Sequence, residues 1–336
     1  MSAIDIATLW AFIIAFAVFV YVVMDGFDLG LGILFPLFPQ KADRDVIMNS
    51  VAPVWDGNET WLVLGGGGMM AAFPLAYAVL MPALYTPIVA MLIGLIFRGV
   101  AFEFRGRATP SHRNRWDLAF AGGSLVAALA QGIALGAILQ GVHVEGRHYA
   151  GGWWDWLTPF SILTGAALVI GYALLGATWL VLKTEGELRD RAYHLSWVLL
   201  LAMLGAIGAV SIATPFLHIQ YTQRWFTWPN LILTAPVPIA VAGVTMLLLR
   251  SLANKQDQQP FFLSLALFAL SYAGLGISMW PYIVPQSITI WQAAAPENSQ
   301  IFMLVGVSFL IPLILGYTAW SYWVFRGKVR VGSGYH

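Results

Sequence analysis

Residues 6–35 read IATLWAFIIAFAVFVYVVMDGFDLGLGILF. Apart from Asp25 and Asp28, the stretch carries no charge. It exceeds the ~20 apolar residues that cross a bilayer as a helix. Composition agrees. Of 336 residues, 59% are hydrophobic and 10% charged, against roughly 25% charged in soluble domains. So few charges could not cover the surface of a water-soluble protein, whereas lipid tails accept apolar surface. Net charge is +1, and no basic stripe lies outside the short loops, which argues against nucleic acid as a partner. The first span has no basic leader region and no small-x-small cleavage site, and reads as retained helix, not as a signal peptide. Cysteine is absent, which excludes disulfides, Fe–S clusters and thiolate metal sites.

Working outward, apolar runs predict about nine spans, at 6–35, 58–76, 79–102, 117–140, 159–182, 194–216, 230–250, 260–284 and 301–325. The expectation is a single polytopic membrane domain over 1–336. The second span holds Gly65 to Gly68 in a row and Pro74, tolerable in a membrane helix with close neighbours. All but two of the 17 Lys and Arg residues fall in or beside the odd-numbered loops and the C-terminal tail, Arg147 and Arg224 being the exceptions. The positive-inside rule then places the N-terminus outside and the C-terminus in the cytoplasm. An eight- or ten-span count would break this asymmetry. The outer loops carry Trp153, Trp154, Trp156, Trp225, Phe226 and Trp228, which suit an aromatic belt better than a ligand-stacking site.

The informative residues are Asp25 and Asp28. Carboxylates within a span cost about 2.5–3.5 kcal/mol on insertion scales and usually face protein or water. Their i, i+3 spacing puts both on one helix face. Ionised together they repel, an arrangement that suits a proton relay. Gly26, Gly30 and Gly32 offer a surface for close helix approach. The bland alternative, that the span ends near Asp25, conflicts with the apolar LGLGILFPLF that follows. A second cluster is PVWDGNETWLVLGGGG at 53–68. Here Asp56 suits a helix N-cap and Glu59 a capping box. The functional alternative joins Asp56, Asn58 and Glu59 to Asp25 and Asp28 at one depth, with Trp55 and Trp61 flanking. Arg98 is expected to anchor at the interface, while pairings of Arg98, Glu103 and Asp117 stay open. The six histidines, His112, His143, His148, His194, His218 and His336, all lie outside span centres, which argues against haem ligation by this chain and against His-cluster metal sites.

These motifs resemble subunit II of the cytochrome bd-type quinol oxidases. The likeness runs through MDGFDLGLGIL, NSVAPVWDGNETWLVLGGGGMMAAFP, FRGVAFEFR at 97–105, WDLAFAGGSLVAAL at 116–129, MWPYIVPQSITIW at 279–291 and YTAWSYWVFRGKV at 317–329. Compact loops look more like the branch often called cyanide-insensitive. The resemblance implies an all-α bundle of about nine transmembrane helices, packed as two four-helix bundles plus one additional helix, in the bacterial inner membrane. It implies a partner, subunit I, carrying haems b and d and the quinol-oxidising site, where quinol is oxidised and dioxygen reduced to water with cytoplasmic protons. In relatives of this kind a structural quinone and a small single-span accessory subunit occur, and lipid surrounds the complex. Subunit II itself is implied to be haem-free, to stabilise the assembly and to offer an acidic route for protons. Asp25, Asp28 and Asp56 match the family's acidic positions, with Trp55 beside the last. Glu59 and Asn58 complete the expected route and its support.

Two other functions compete. A stand-alone secondary transporter could use the intramembrane acids, but it should show repeats and paired helix breaks. The Gly65 to Gly68 run is the one candidate break, without a counterpart in the second half. A purely structural scaffold for subunit I would tolerate acid-to-amide changes.

Overall fold

The computed structural model describes residues 5–330. Its first half comprises α1 (Ile6–Leu34), α2 (Lys41–Val51), α3 (Trp55–Ala72), α4 (Pro74–Ala83), α5 (Tyr85–Arg105) and α6 (Pro110–Gln140). A short hairpin, β1 (Val144–Glu145) with β2 (His148–Tyr149), leads to α7 (Pro159–Lys183), α8 (Gly186–Leu217), α9 (Ile219–Phe226), α10 (Asn230–Thr234), α11 (Pro236–Ala253) and α12 (Gln259–Met279). A second hairpin, β3 (Tyr282–Val284) with β4 (Ile288–Thr289), precedes α13 (Ile290–Ala293) and α14 (Glu297–Val324).

Helix α1 is the hub. It packs on α3, α6 and α7, and α6 on α5, so that α1, α3, α5 and α6 form one four-helix group. The second group is α7, α8, α11 and α12, joined to the first through α1–α7 and α6–α7 contacts. Helix α14 stands apart as the additional helix, touching α1 and α3.

Among the described residues, eight helices are long and apolar enough to cross a membrane. Where span two was expected at 58–76, the chain instead forms α3 and α4. The first turns of α3 hold Asp56, Asn58 and Glu59, and α3 is not one of those eight. Its end is set by Pro74. Phe73 has φ −132° and ψ 62°, because a residue preceding proline is pushed out of the α region. Pro74 then opens α4 at its first turn. The expected span 260–284 also ends early, at Met279, where the chain turns into the β3–β4 hairpin.

Why α1 sits so deep is visible in its small residues. A Cβ on Gly30 would lie 1.8 Å from the Tyr172 carbonyl oxygen of α7, and one on Gly32 would lie 2.0 Å from Ser124 Oγ of α6. Only glycine lets those backbones meet. In the Gly65 to Gly68 run, Gly65 and Gly68 face Val18 and Ile14 of α1, while Gly66 and Gly67 face open space.

The charged loops gather at one end. There Arg105 pairs with Asp117 (2.5 Å) and Asp45 (2.7 Å), Arg191 with Asp43 (3.5 Å), and Lys328 with Asp257 (2.5 Å). The C-terminal tail is clamped to this end, with Lys183 Nζ donating to the Phe325 carbonyl at 2.5 Å. At the opposite end Trp291 donates to Asp5 (2.7 Å), and Tyr221 to the Leu139 carbonyl (2.8 Å). Of the aromatics expected in outer loops, Trp153, Trp154 and Trp228 are exposed, and Trp225 donates to Ser278 at 2.9 Å.

Candidate functional site

Asp25 and Asp28 are both fully buried, on the part of α1 that Gly26 and Gly30 bring against α7. An isolated buried carboxylate is costly unless it is paired and hydrogen-bonded. The pairing comes from α5. Arg98 is itself fully buried and uses both terminal nitrogens: Nη1 donates to Asp25 Oδ1, and Nη2 to Glu59 Oε2 at 2.7 Å. The expectation that Arg98 anchors at the interface is therefore corrected. Its planar fork bridges two carboxylates from different helices, a geometry that an ammonium could not match.

Trp55 covers this guanidinium, whose carbon lies 5.8 Å from the ring centroid. Trp55 in turn stacks on Phe102 of α5, with centroids 4.9 Å apart. Asp28 is held differently. Its Oδ2 accepts from Asn58 Nδ2 at 2.8 Å, and Asn58 Oδ1 accepts from the Tyr322 hydroxyl of α14 at 2.9 Å. Asp25 Oδ2 and Asp28 Oδ1 are buried without a hydrogen-bond partner.

A second polar arm runs away from Asp25. Tyr21 lies one turn earlier on α1, on the same face. Its hydroxyl accepts from Gln131 Nε2 of α6 at 2.7 Å, and Gln131 Oε1 accepts from the Tyr172 hydroxyl of α7 at 2.9 Å. Six helices, α1, α3, α5, α6, α7 and α14, thus place polar side chains around the acids of α1.

Asp56 is placed otherwise than expected. Helix α3 begins at Trp55 with Val54 as N-cap, and no side chain caps it. Asp56 is in the first turn and exposed. The capping-box reading fails for a physical reason: Glu59 turns to Arg98, whose charge outweighs a backbone N–H as a partner. Asn58 and Glu59 join Asp25 and Asp28, whereas Asp56 stays outside, one turn from Glu59. Glu59 is intermediate, its side chain 29% exposed. Trp61 is buried and meets Phe16 edge-on. Glu103 is exposed, and Asp117 pairs with Arg105 and Arg44 rather than with the acids.

Tyr21, Gln131, Tyr172 and Tyr322 escaped the sequence reading. Their signal is the one that marked Asp25: a polar group inside an apolar span, facing protein. It is weaker because tyrosine and glutamine cost less to insert than a charge.

Among the described residues, no group of three or more His, Cys, Asp or Glu side chains could hold a metal ion. His194 is exposed on α8, and His218 is engaged at 2.7 Å with the Gln140 carbonyl.

Residues 6–325 match the family described as cytochrome bd terminal oxidase subunit II. The chain is 30% identical to the cytochrome bd-I ubiquinol oxidase subunit 2 of Escherichia coli (strain K12), covering 96% of this chain and 94% of that one. It is 28% identical to the cytochrome bd ubiquinol oxidase subunit 2 of Bacillus subtilis (strain 168), covering 96% of each. Its fold is that of a chain in the bd oxidase from Geobacillus thermodenitrificans, with a TM-score of 0.73, 18% identity and coverage of 95% and 98% of the two chains. Matched along nearly its whole length and built from membrane-crossing helices, the chain belongs to the cytochrome bd terminal oxidase subunit II family, as a multi-pass protein of the bacterial inner membrane.

Proposed function

We propose that this chain is the haem-free subunit of a quinol:dioxygen oxidoreductase and that its buried acids pass cytoplasmic protons toward the partner's oxygen-reducing centre. In this reading, subunit I holds haems b and d and oxidises quinol, and this chain stabilises it. The basic end of the bundle faces the cytoplasm, with the N-terminus outside.

The observation that carries the reading is the graded burial of the acids. Asp56 is exposed, Glu59 is partly exposed, and Asp25 and Asp28 are fully buried. One guanidinium serves three carboxylates, Asp25, Glu59 and, across the cluster, Asp28. Arg98 stays protonated and holds two of them in place. Asp28 is fixed on one oxygen by Asn58 and leaves the other open. Such a cluster can hold a proton and release it, because the acids outnumber the cation.

The test is to purify the tagged chain in mild detergent from wild-type, Asp25→Asn and Asp28→Asn strains. Co-elution of a haem-bearing partner with quinol-dependent oxygen uptake is expected, with both variants slowed at normal haem content. A colourless chain isolated alone, with respiration intact on deletion, would sink the oxidase reading. Full turnover in both variants would leave only the scaffold role.

A further inference from the structure

The basic end of the bundle contains a feature that proton transfer does not use. A cavity of about 170 Å³ opens between the start of α2, the end of α5 and the start of α6. Lys41, Arg44, Arg105 and Arg113 line it, together with Asn114 and Asp117. The carboxylates paired with these cations are Asp117, shared by Arg44 and Arg105, and Asp45, shared by Arg105 and Arg113. Four cations against two carboxylates leave the cavity with surplus positive charge. Two donors there are also unspent. Arg105, only 4% exposed, leaves Nη2 without a hydrogen-bond partner, and Arg113 leaves Nε so. The cavity faces the first turns of α2 and α6, and neither helix has a side-chain cap. Helix α2 therefore offers free N–H groups, α6 fewer, since it opens on Pro110 and bonds the His112 N–H to the Thr109 carbonyl, and both present the positive end of a helix dipole.

We propose that this cavity binds a phosphate group, and that its source is the headgroup of an anionic phospholipid. The first part follows from the donors. Guanidinium and ammonium groups beside uncapped helix starts form the arrangement that binds phosphate oxygens. The second part follows from the surroundings. Leu37 and Phe104, next in the chain to the cavity-lining segments, are exposed apolar residues, and Phe104 stacks on Trp116, with centroids 5.4 Å apart. A headgroup phosphate in the cavity would lay its acyl chains along this apolar surface. Basic pockets between helices at a cytoplasmic membrane face suit such headgroups. Arg44 and Arg105 are held against Phe35, 5.4 and 5.5 Å from its ring centroid, so the donors are set in place before a ligand arrives.

The test uses the intact detergent-purified complex, stripped of lipid and then offered phosphatidylglycerol, phosphatidylcholine or inorganic phosphate, with bound species read by native mass spectrometry and stability by thermal unfolding. The variant is Lys41→Gln with Arg113→Gln, which spares the more deeply buried Arg105. The control is Arg250→Gln with Lys255→Gln, which removes the same charge elsewhere on this end. Retention of phosphatidylglycerol over phosphatidylcholine, roughly tenfold weaker in the variant and unchanged in the control, supports the lipid site. A rise in melting temperature with inorganic phosphate alone, lost in the variant, keeps the phosphate site and overturns the lipid source. Equal retention in wild type, variant and control, with no response to inorganic phosphate, overturns the proposal.

Discussion

Arg98 and Asp25 stand 73 residues apart in the chain and meet as an ion pair with no solvent exposure on either side chain. The same guanidinium holds Glu59 of α3, so one side chain ties three helices together. Removing one partner of a buried pair strands the other, at a cost of about 3–5 kcal/mol. Arg98→Leu is therefore expected to lower the unfolding midpoint and the yield of assembled complex. Arg98→Lys is expected to fall between wild type and Arg98→Leu, since an ammonium keeps the charge but cannot hold both carboxylates in a planar fork. Thermal unfolding in detergent checks the order.

The acids should separate by position. Asp28→Asn removes a buried acid, and a slowing of oxygen uptake of roughly tenfold or more is expected at unchanged haem content. Asp56→Asn alters an exposed residue outside the cluster, and less than about a twofold change is expected, a change of the size an exposed site allows. Equal loss in both would contradict the graded route. Oxygen electrode rates normalised to haem absorbance decide.

Gln131 links the hydroxyls of Tyr21 and Tyr172. Gln131→Leu strands the buried Tyr172 hydroxyl, at about 1–3 kcal/mol, and takes one partner from Tyr21. Adding Tyr172→Phe removes the stranded group, so the double variant should be more stable than Gln131→Leu alone. Comparing their melting temperatures tests whether Gln131 bonds the Tyr172 hydroxyl.

Gly30→Ala should destabilise more than Gly66→Ala. At Gly30 the new methyl meets the α7 backbone at 1.8 Å, and at Gly66 it meets nothing within 4 Å. Overpacking costs typically about 1–3 kcal/mol, and here it would force α1 and α7 apart. The melting temperature of the assembled complex is the measurement.

The tail clamp should depend on pH. Burial acts to raise Asp257, but hydrogen bonds from Lys328 and Tyr193 and the charges of Lys328 and Arg189 outweigh it and hold the carboxyl below its ordinary 3.8. A depressed folded value means that the stabilisation is complete above the ordinary value and is lost as pH falls through the lower one. Digestion of the C-terminal tail by an acid protease should rise only below pH ~4. In Asp257→Asn the tail should be as accessible at neutral pH as wild type is in acid.

Read alone, the chain determined the membrane class and the limits of most spans, because apolarity over ~20 residues is a local property that lipid reads directly. It also picked out Asp25, Asp28, Asn58 and Glu59, because a polar group in an apolar run is conspicuous. The glycines beside the acids marked the helix that others approach. What it left to the tertiary structure was partnership. Arg98 has the composition of an interfacial arginine, and only the meeting of α1, α3 and α5 turned it inward. Asp56 and Glu59 have the spacing of a capping box, yet a buried guanidinium drew Glu59 away and left Asp56 outside. Tyr21, Gln131 and Tyr172 were linked only when α1, α6 and α7 met, and Tyr322 reached Asn58 only when α14 came beside α3. Span length is set by neighbours in the chain, but the fate of a buried charge is set by neighbours in space.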